Sequence, residues 1–170
     1  MIENLWTQSN HDLEAWRSAP LPNLILHIVE HYHLEARLGM AHMENLAAEA
    51  VLREGTHHAG LLELRDELGR FCRDLRAHMA MEEQTLFPYL LGPEPSGPAE
   101  LMPPLVKLLE DGHQAETELF RRLHSLSAEY LPAAGARNLR ERFEHALKAL
   151  EKSLQAHVLL ETQVLFRRVF

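Results

Sequence analysis

The chain has 170 residues, a formal net charge of −8, 46% hydrophobic and 25% charged residues, and one cysteine. That length holds one domain with a substantial core, and the composition is that of an ordinary globular protein. The acidic balance argues against nucleic acid or an anionic membrane as the main partner, while the lone Cys72 excludes an internal disulfide and suits a cytoplasmic protein.

Residues 1–20 read as an N-terminal strap that carries Trp6 and Trp16 and ends at Ala19-Pro20-Leu21-Pro22. They lack the basic and then apolar blocks of a signal peptide, and no apolar run is long enough to span a membrane. Pro22 or Asn23 opens a first helix that runs to about Glu54. Its expected inward stripe is Leu26, Val29, His33, Ala36, Met40, Met43, Ala47 and Ala50, with Gly39 predicted to bend it. Gly55 caps that helix, His57 and His58 fall in the turn, and a second helix follows from about Leu61 to Leu90. Pro88 is expected to loosen its last turn. The Pro/Gly-rich residues 91–104 form a loop, and a third helix spans roughly Pro104 to Tyr130 with Leu105, Leu109, His113, Phe120 and Leu123 inward. After a turn at Leu131–Gly135 a fourth helix runs from about Ala136 nearly to the C-terminus. Long helices with short links predict an all-α, up-down-up-down antiparallel four-helix bundle over residues 21–170.

One phrase occurs twice. His78-Met79-Ala80-Met81-Glu82-Glu83-Gln84-Thr85-Leu86-Phe87 returns as His157-Val158-Leu159-Leu160-Glu161-Thr162-Gln163-Val164-Leu165-Phe166, sharing H-x3-E-x-Q-x-L-F. Upstream, Leu64, Leu68, Phe71 and Leu75 correspond to Phe143, Leu147, Leu150 and Leu154, so each copy runs from a core stripe onto a His and a Glu on one face. In an antiparallel hairpin, residues equidistant from the turn share a height. His33 and His78 are equidistant from the Gly55-Thr56 turn, His113 and His157 from Gly135, and His78 and His113 from the Pro/Gly loop. One histidine from each helix therefore falls in one layer, with Glu82 and Glu161 a turn away.

His33, His78, His113, His157, Glu82 and Glu161 are the candidate ligands of two metal ions, two histidines on each and both carboxylates bridging. An oxo or hydroxo bridge would complete each ion while leaving a position open for a small molecule. Imidazole with carboxylate in near-octahedral geometry suits two iron ions first, manganese second and zinc third. Candidates to hold the outer ring nitrogens are Glu30, Glu110, Glu116, Gln84 and Gln163. The bland alternative, a duplication that kept polar pairs for packing, fares badly, because two buried carboxylates without charge partners would cost several kcal/mol each. His27 and His31 read as packing or surface residues, and His57 and His58 lie about 30 Å from the layer at 1.5 Å per residue. His11, His42, His124 and His145 are expected to be exposed, and Cys72 to be a buried, unreactive thiol.

These residues resemble the hemerythrin-like, HHE cation-binding family, and within it the C-terminal domain of di-iron proteins that repair iron–sulfur clusters. The likeness runs from about residue 13 to the end. It rests on Trp16-x-x-Ala19-Pro20-Leu21, Leu24-Ile25-x-His27-Ile28-Val29-x-x-Tyr32-His33, His78-Met79-x-x-Glu82-Glu83-Gln84-x-Leu86-Phe87-Pro88, the His113 segment and His157-x-x-Leu160-Glu161-x-x-Val164-Leu165-Phe166. The resemblance implies the same six ligands. It also implies a non-heme di-iron protein that binds or reacts with nitric oxide, dioxygen or peroxide in stress response or cluster repair, with iron–sulfur proteins as partners. A homodimer is compatible with it. This chain departs from the family pattern in three places: no vicinal cysteine pair precedes the first helix, Glu54 stands where a further His is usual, and Glu-His-Asp becomes Gly112-His113-Gln114. The competing readings are a sensing or storage module without turnover and a ferritin-like oxidase, the latter drawn from Glu30-x-x-His33 and Glu110-x-x-His113. A bundle serving only as a scaffold, with a degenerate or zinc-filled site, is a further alternative.

Overall fold

The computed structural model describes residues 13–54, 59–92, 102–131 and 139–169. Residues 13–18 form a short helix, α1, in the strap. Helix α2 is built of three consecutive parts, Leu21–His27, a π-helical Ile28–His33, and Leu34–Glu54. Helix α3 comprises Ala59–Met81, a π turn at Glu82–Leu86, and Phe87–Leu91. Helix α4 is the uninterrupted Met102–Tyr130, and α5 joins Leu139–Leu160, a π turn at Glu161–Leu165, and Phe166–Val169. Pro20 O accepts from the N–H groups of Asn23 and Leu24, which closes the start of α2, and Pro22 sits in the first turn, where its missing N–H leaves nothing unpaired.

The long helices pack in a ring, α2 on α3, α3 on α4, α4 on α5 and α5 back on α2. This is the expected bundle. Among the described residues there is no strand, and no helix is long and apolar enough to cross a membrane. The expected turns around Gly55–His58 and Gly135, most of the Pro/Gly loop, Trp6 and His11 lie outside the described residues.

Two apolar clusters fill the interior. One joins α2 from Ala36 to Val51 with Leu61–Met79, Phe120–Leu131 and Leu139–Leu154. The other joins Leu24, Ile25 and Ile28 with Leu86, Phe87, Met102, Leu109 and Leu160–Phe166, and the strap covers it with Leu13 and Trp16. Between them lies a polar layer in which His33, Glu82, His113, Glu116, His157 and Glu161 are buried.

The π turns correct the stripe expected for the first helix. Downstream of His33 the stripe holds, with Ala36, Met40, Met43, Ala47 and Ala50 buried. Upstream it slips. Leu26 is 52% exposed and Val29 only half-buried, while Leu24, Ile25 and Ile28 take the core positions. A π turn contains one more residue than an α turn, so the core position before His33 is Ile28, five residues back, rather than Val29. Gly39, expected to bend the helix, also has a packing role. A Cβ there would lie 3.2 Å from Leu150 Cδ1, so the glycine lets α2 and α5 approach closely. Pro88 does mark a loosened turn: the Phe87 N–H reaches back five residues to Glu82 O, and Pro88 itself has no N–H to offer.

Candidate metal centre

Each π turn touches the polar layer. His33 ends the turn in α2, and Glu82 and Glu161 begin those in α3 and α5. His78 and His157 precede the two glutamates by four residues, the spacing that stacks side chains on one helix face. His113 enters from α4. Such π turns are frequent at functional sites, because the extra residue re-aims a side chain while the helix continues.

The six residues form two overlapping groups. His33, Glu82, His157 and Glu161 present ligand-type atoms all within 4.8 Å of one another, as do His78, Glu82, His113 and Glu161. Each carboxylate divides its oxygens between the groups. Glu82 sends Oε2 to within 3.2 Å of His33 Nε2 and Oε1 to within 3.0 Å of His78 Nε2. Glu161 sends Oε1 to within 3.1 Å of His157 Nε2 and Oε2 to within 3.3 Å of His113 Nε2. Both glutamates are 0% exposed, yet His33 Nε2, Glu82 Oε2, His157 Nε2 and both Glu161 oxygens lack any hydrogen bond. They come close without the alignment of a hydrogen bond, because they aim at shared points between them. A cation at each point would satisfy atoms that otherwise carry a desolvation cost of about 1–3 kcal/mol apiece. The donor set, imidazole with carboxylate and no thiolate, suits iron or manganese.

The electrostatics agree. Burial pushes His157 down, but the carboxylates of Glu161, Glu82 and Glu116 together outweigh it and raise the imidazole to about 9. His78 is raised in the same way, burial being overcome by Glu82. Glu161 is held well below the usual carboxylate range, with burial overcome by His157 and His113. The buried rings and carboxylates thus favour one another's charged forms, the role that a metal ion takes over.

Around these six, Glu83 Oε1 lies 2.5 Å from His33 Nδ1 and accepts from Arg37 Nη2 at 2.6 Å, so it fixes which ring nitrogen of His33 faces inward. Burial raises the Glu83 carboxyl, and the hydrogen bonds from Arg37 and His33 more than reverse it. Glu116 Oε1 stands 4.0 Å from His78 Nδ1, and its buried carboxyl is raised by desolvation. A Cβ on Gly112 would lie 3.0 Å from His78 Nδ1, so the glycine leaves room for that ring. Tyr32 stacks on His157 with centroids 5.7 Å apart. A cavity of about 210 Å³ opens beside the layer between α4 and α5, lined by His113, Glu116, Phe120, Leu154, Val158 and Thr162 among others.

All six ligand candidates from the sequence thus meet. Of the outer partners suggested there, Glu116 comes nearest to a ring, 4.0 Å from His78 Nδ1 and beyond hydrogen-bond reach, whereas Glu30, Glu110 and Gln84 are exposed and Gln163 is half-buried. Glu83 and Arg37 were missed. The signal for Glu83 was an asymmetry in the repeat, Glu82-Glu83 against Glu161-Thr162, where Thr162 only bonds back to Val158 O. His42 and His145 are exposed as expected. His124 is not. It sits between α4 and α5 with Nδ1 2.9 Å from Glu144 and Nε2 3.2 Å from Glu151, and its side chain is 27% exposed. Cys72 is fully buried, and desolvation followed by the charge of Glu44 pushes its thiol up to about 12.

Known proteins resemble this chain. It is 28% identical over 161 residues to "Iron-sulfur cluster repair protein YtfE" of Yersinia pseudotuberculosis serotype IB, covering 93% of this chain and 70% of that protein. The YtfE protein of Yersinia pestis strain Pestoides F matches at the same identity and coverage. "Iron-sulfur cluster repair protein ScdA" of Staphylococcus haemolyticus is 26% identical over 147 residues, 86% of this chain and 66% of its own length. The family profile described as "Hemerythrin HHE cation binding domain" matches residues 24–169, the span that contains all six converging side chains. The chain belongs to the hemerythrin HHE cation-binding domain family.

Proposed function

We propose that this protein holds two iron ions in the polar layer and uses them to bind or process a small diatomic molecule or peroxide, in stress response or iron–sulfur cluster repair. His33 and His157 serve one ion, His78 and His113 the other, and Glu82 and Glu161 bridge. The observation that carries the reading is the pair of four-residue groups sharing both glutamates, with buried oxygens and ring nitrogens that nothing else satisfies. Bound iron would supply reversible one-electron chemistry and affinity for a small ligand. The residues do the rest. Glu83 orients His33, the two apolar clusters keep bulk water from the layer, and the cavity beside His113 gives a small molecule a way in.

The repair role is drawn from the names of the relatives, and iron–sulfur proteins would be the partners in it. A cytoplasmic setting agrees with the single buried thiol. The division proposed for the chain is an N-terminal strap, of which residues 13–20 are described, followed from residue 21 by the bundle. Manganese and zinc are the lesser choices for this donor set.

The test is metal analysis of anaerobically purified protein, with optical spectra before and after dioxygen and nitric oxide. About two irons per chain and a spectral change with either gas are expected. Fewer than about one iron, not restored by added ferrous ion, would overturn the proposal.

A further inference from the structure

The centre is joined to the surface by a file of aromatic rings. Tyr32 lies nearly parallel to His157, at 9° and 5.7 Å between centroids. His27 meets Tyr32 edge-on at 5.4 Å, and Trp16 stacks on His27 at 4.3 Å and 16°. His31 flanks the file, 5.1 Å from His27 and 4.9 Å from Tyr32. Neither the fold nor the ligand set requires four rings in contact from strap to polar layer. Trp16 is half-buried, so the outer end is reached from solvent.

The surface at that end is basic. The chain carries a net charge of −8, yet Arg17, Arg167 and Arg168, all exposed, line one pocket together with Gln163 and Val164. Arg168 Nη1 donates to Trp16 O at 3.0 Å, which ties this basic collar to the outer ring of the file. The acidic neighbour is Glu14, 3.4 Å from Arg17, and both of these side chains are largely in solvent.

We propose that this face is an electron port: an acidic one-electron carrier protein docks on the arginine collar, and the rings of Trp16, His27, Tyr32 and His157 conduct its electron to the metal layer. The proposal rests on the iron reading above. Electron transfer through protein weakens steeply with distance, and rings in van der Waals contact shorten every gap to a few ångströms. The balance is simple. One reduced carrier loses one electron, one ferric ion becomes ferrous, and the rings return to their starting state with no bond made or broken. Opposite charges at the two faces steer the encounter and make it sensitive to salt.

The experiment uses a small acidic ferredoxin, reduced photochemically, as donor to the ferric protein in a stopped-flow spectrometer, with iron content measured on every sample. Tyr32→Leu and Trp16→Leu should each slow reduction tenfold or more at unchanged iron content, while Tyr32→Phe, which keeps the ring, stays within about threefold. The double reversal R167E/R168E should slow reduction by ferredoxin at low salt, and the difference from wild type should shrink at high salt. Docking is read separately on the metal-free protein, where oxidised ferredoxin should bind at least tenfold more weakly to R167E/R168E by calorimetry. Tyr32→Leu with full iron and a wild-type rate would overturn the port and leave the metal reading intact. Wild-type protein without iron would overturn the metal reading first.

Discussion

Replacing Glu83 by alanine asks whether the two halves of the centre are built independently. His33 is 0% exposed, and its Nδ1 has Glu83 Oε1 2.5 Å away as partner. Removing that carboxylate strands a buried ring N–H, at a cost of about 1–3 kcal/mol. The ion pair with Arg37 adds little, since its side chains are 43% and 26% exposed and such pairs contribute about 0–1 kcal/mol. Loss of the outer partner of a ligating histidine typically weakens metal binding about 10–100-fold. At about 1.4 kcal/mol per decade that is roughly 1.4–2.8 kcal/mol, the same range as the stranded donor. Both partners of Glu83 lie on α2, so the loss falls on the pocket of His33 and His157. Anaerobic titration with cobalt(II) against a competing chelator should show one ion bound as in wild type and the other about 10–100-fold more weakly. Glu83→Gln keeps an acceptor oxygen and should fall between. Equal weakening of both ions, or no weakening in a folded variant, would refute the idea of separately oriented pockets.

Gly112→Ala gains about 1 kcal/mol of helix propensity but sets a Cβ 3.0 Å from His78 Nδ1. The metal-free protein should melt within a few degrees of wild type, while the ion served by His78 and His113 binds about tenfold more weakly; unchanged binding in a titration would show that the ring yields freely. Gly60→Ala drives a Cβ into the ring of Tyr130 and should destabilise the protein by about 1–3 kcal/mol in urea unfolding, so an unchanged midpoint would contradict this packing. Cys72, raised to about 12 by burial and then by Glu44, should resist iodoacetamide at pH 8.5 until the chain unfolds. The sign follows from linkage: the folded thiol ionises above the ordinary 9.0, so its contribution is complete below about pH 9 and is lost as pH rises toward 12. The stability difference between wild type and Cys72→Ala should shrink across that window, and labelling of native protein at pH 8.5 would refute the buried thiol.

The helices and the layer were legible because both depend on spacing. A 3.6-residue period marks a core face, and equal distance from a turn sets height, so His33, His78, His113 and His157 could be aligned without coordinates. What failed was whatever broke the period. Leu26 and Val29 were misplaced because nothing local in Ile28–His33 announces a π turn; the extra residue is stabilised by where His33 must point. Glu83 was overlooked because a residue next to a core glutamate ordinarily faces solvent, and only the approach of α2 with His33 and Arg37 gives it partners. His124 was expected outside because its partners, Glu144 and Glu151, come from a helix whose register against α4 the spacing of core residues does not specify.

The π turns also make chain length itself a functional quantity. Each stores one residue beyond what an α-helix would use, so deleting a single residue there would leave the helix hydrogen-bonded and the segments on either side of the turn in phase. In α2 a deletion between Ile28 and His33 would bring the two to α-helical i, i+4 spacing, so Leu24 and Ile28 would keep their cluster and Ala36 to Val51 theirs, while the side chains within the turn would be re-aimed. A one-residue deletion, normally tolerated only in loops, is permitted by both halves of the bundle at the very places where it would disturb the centre between them.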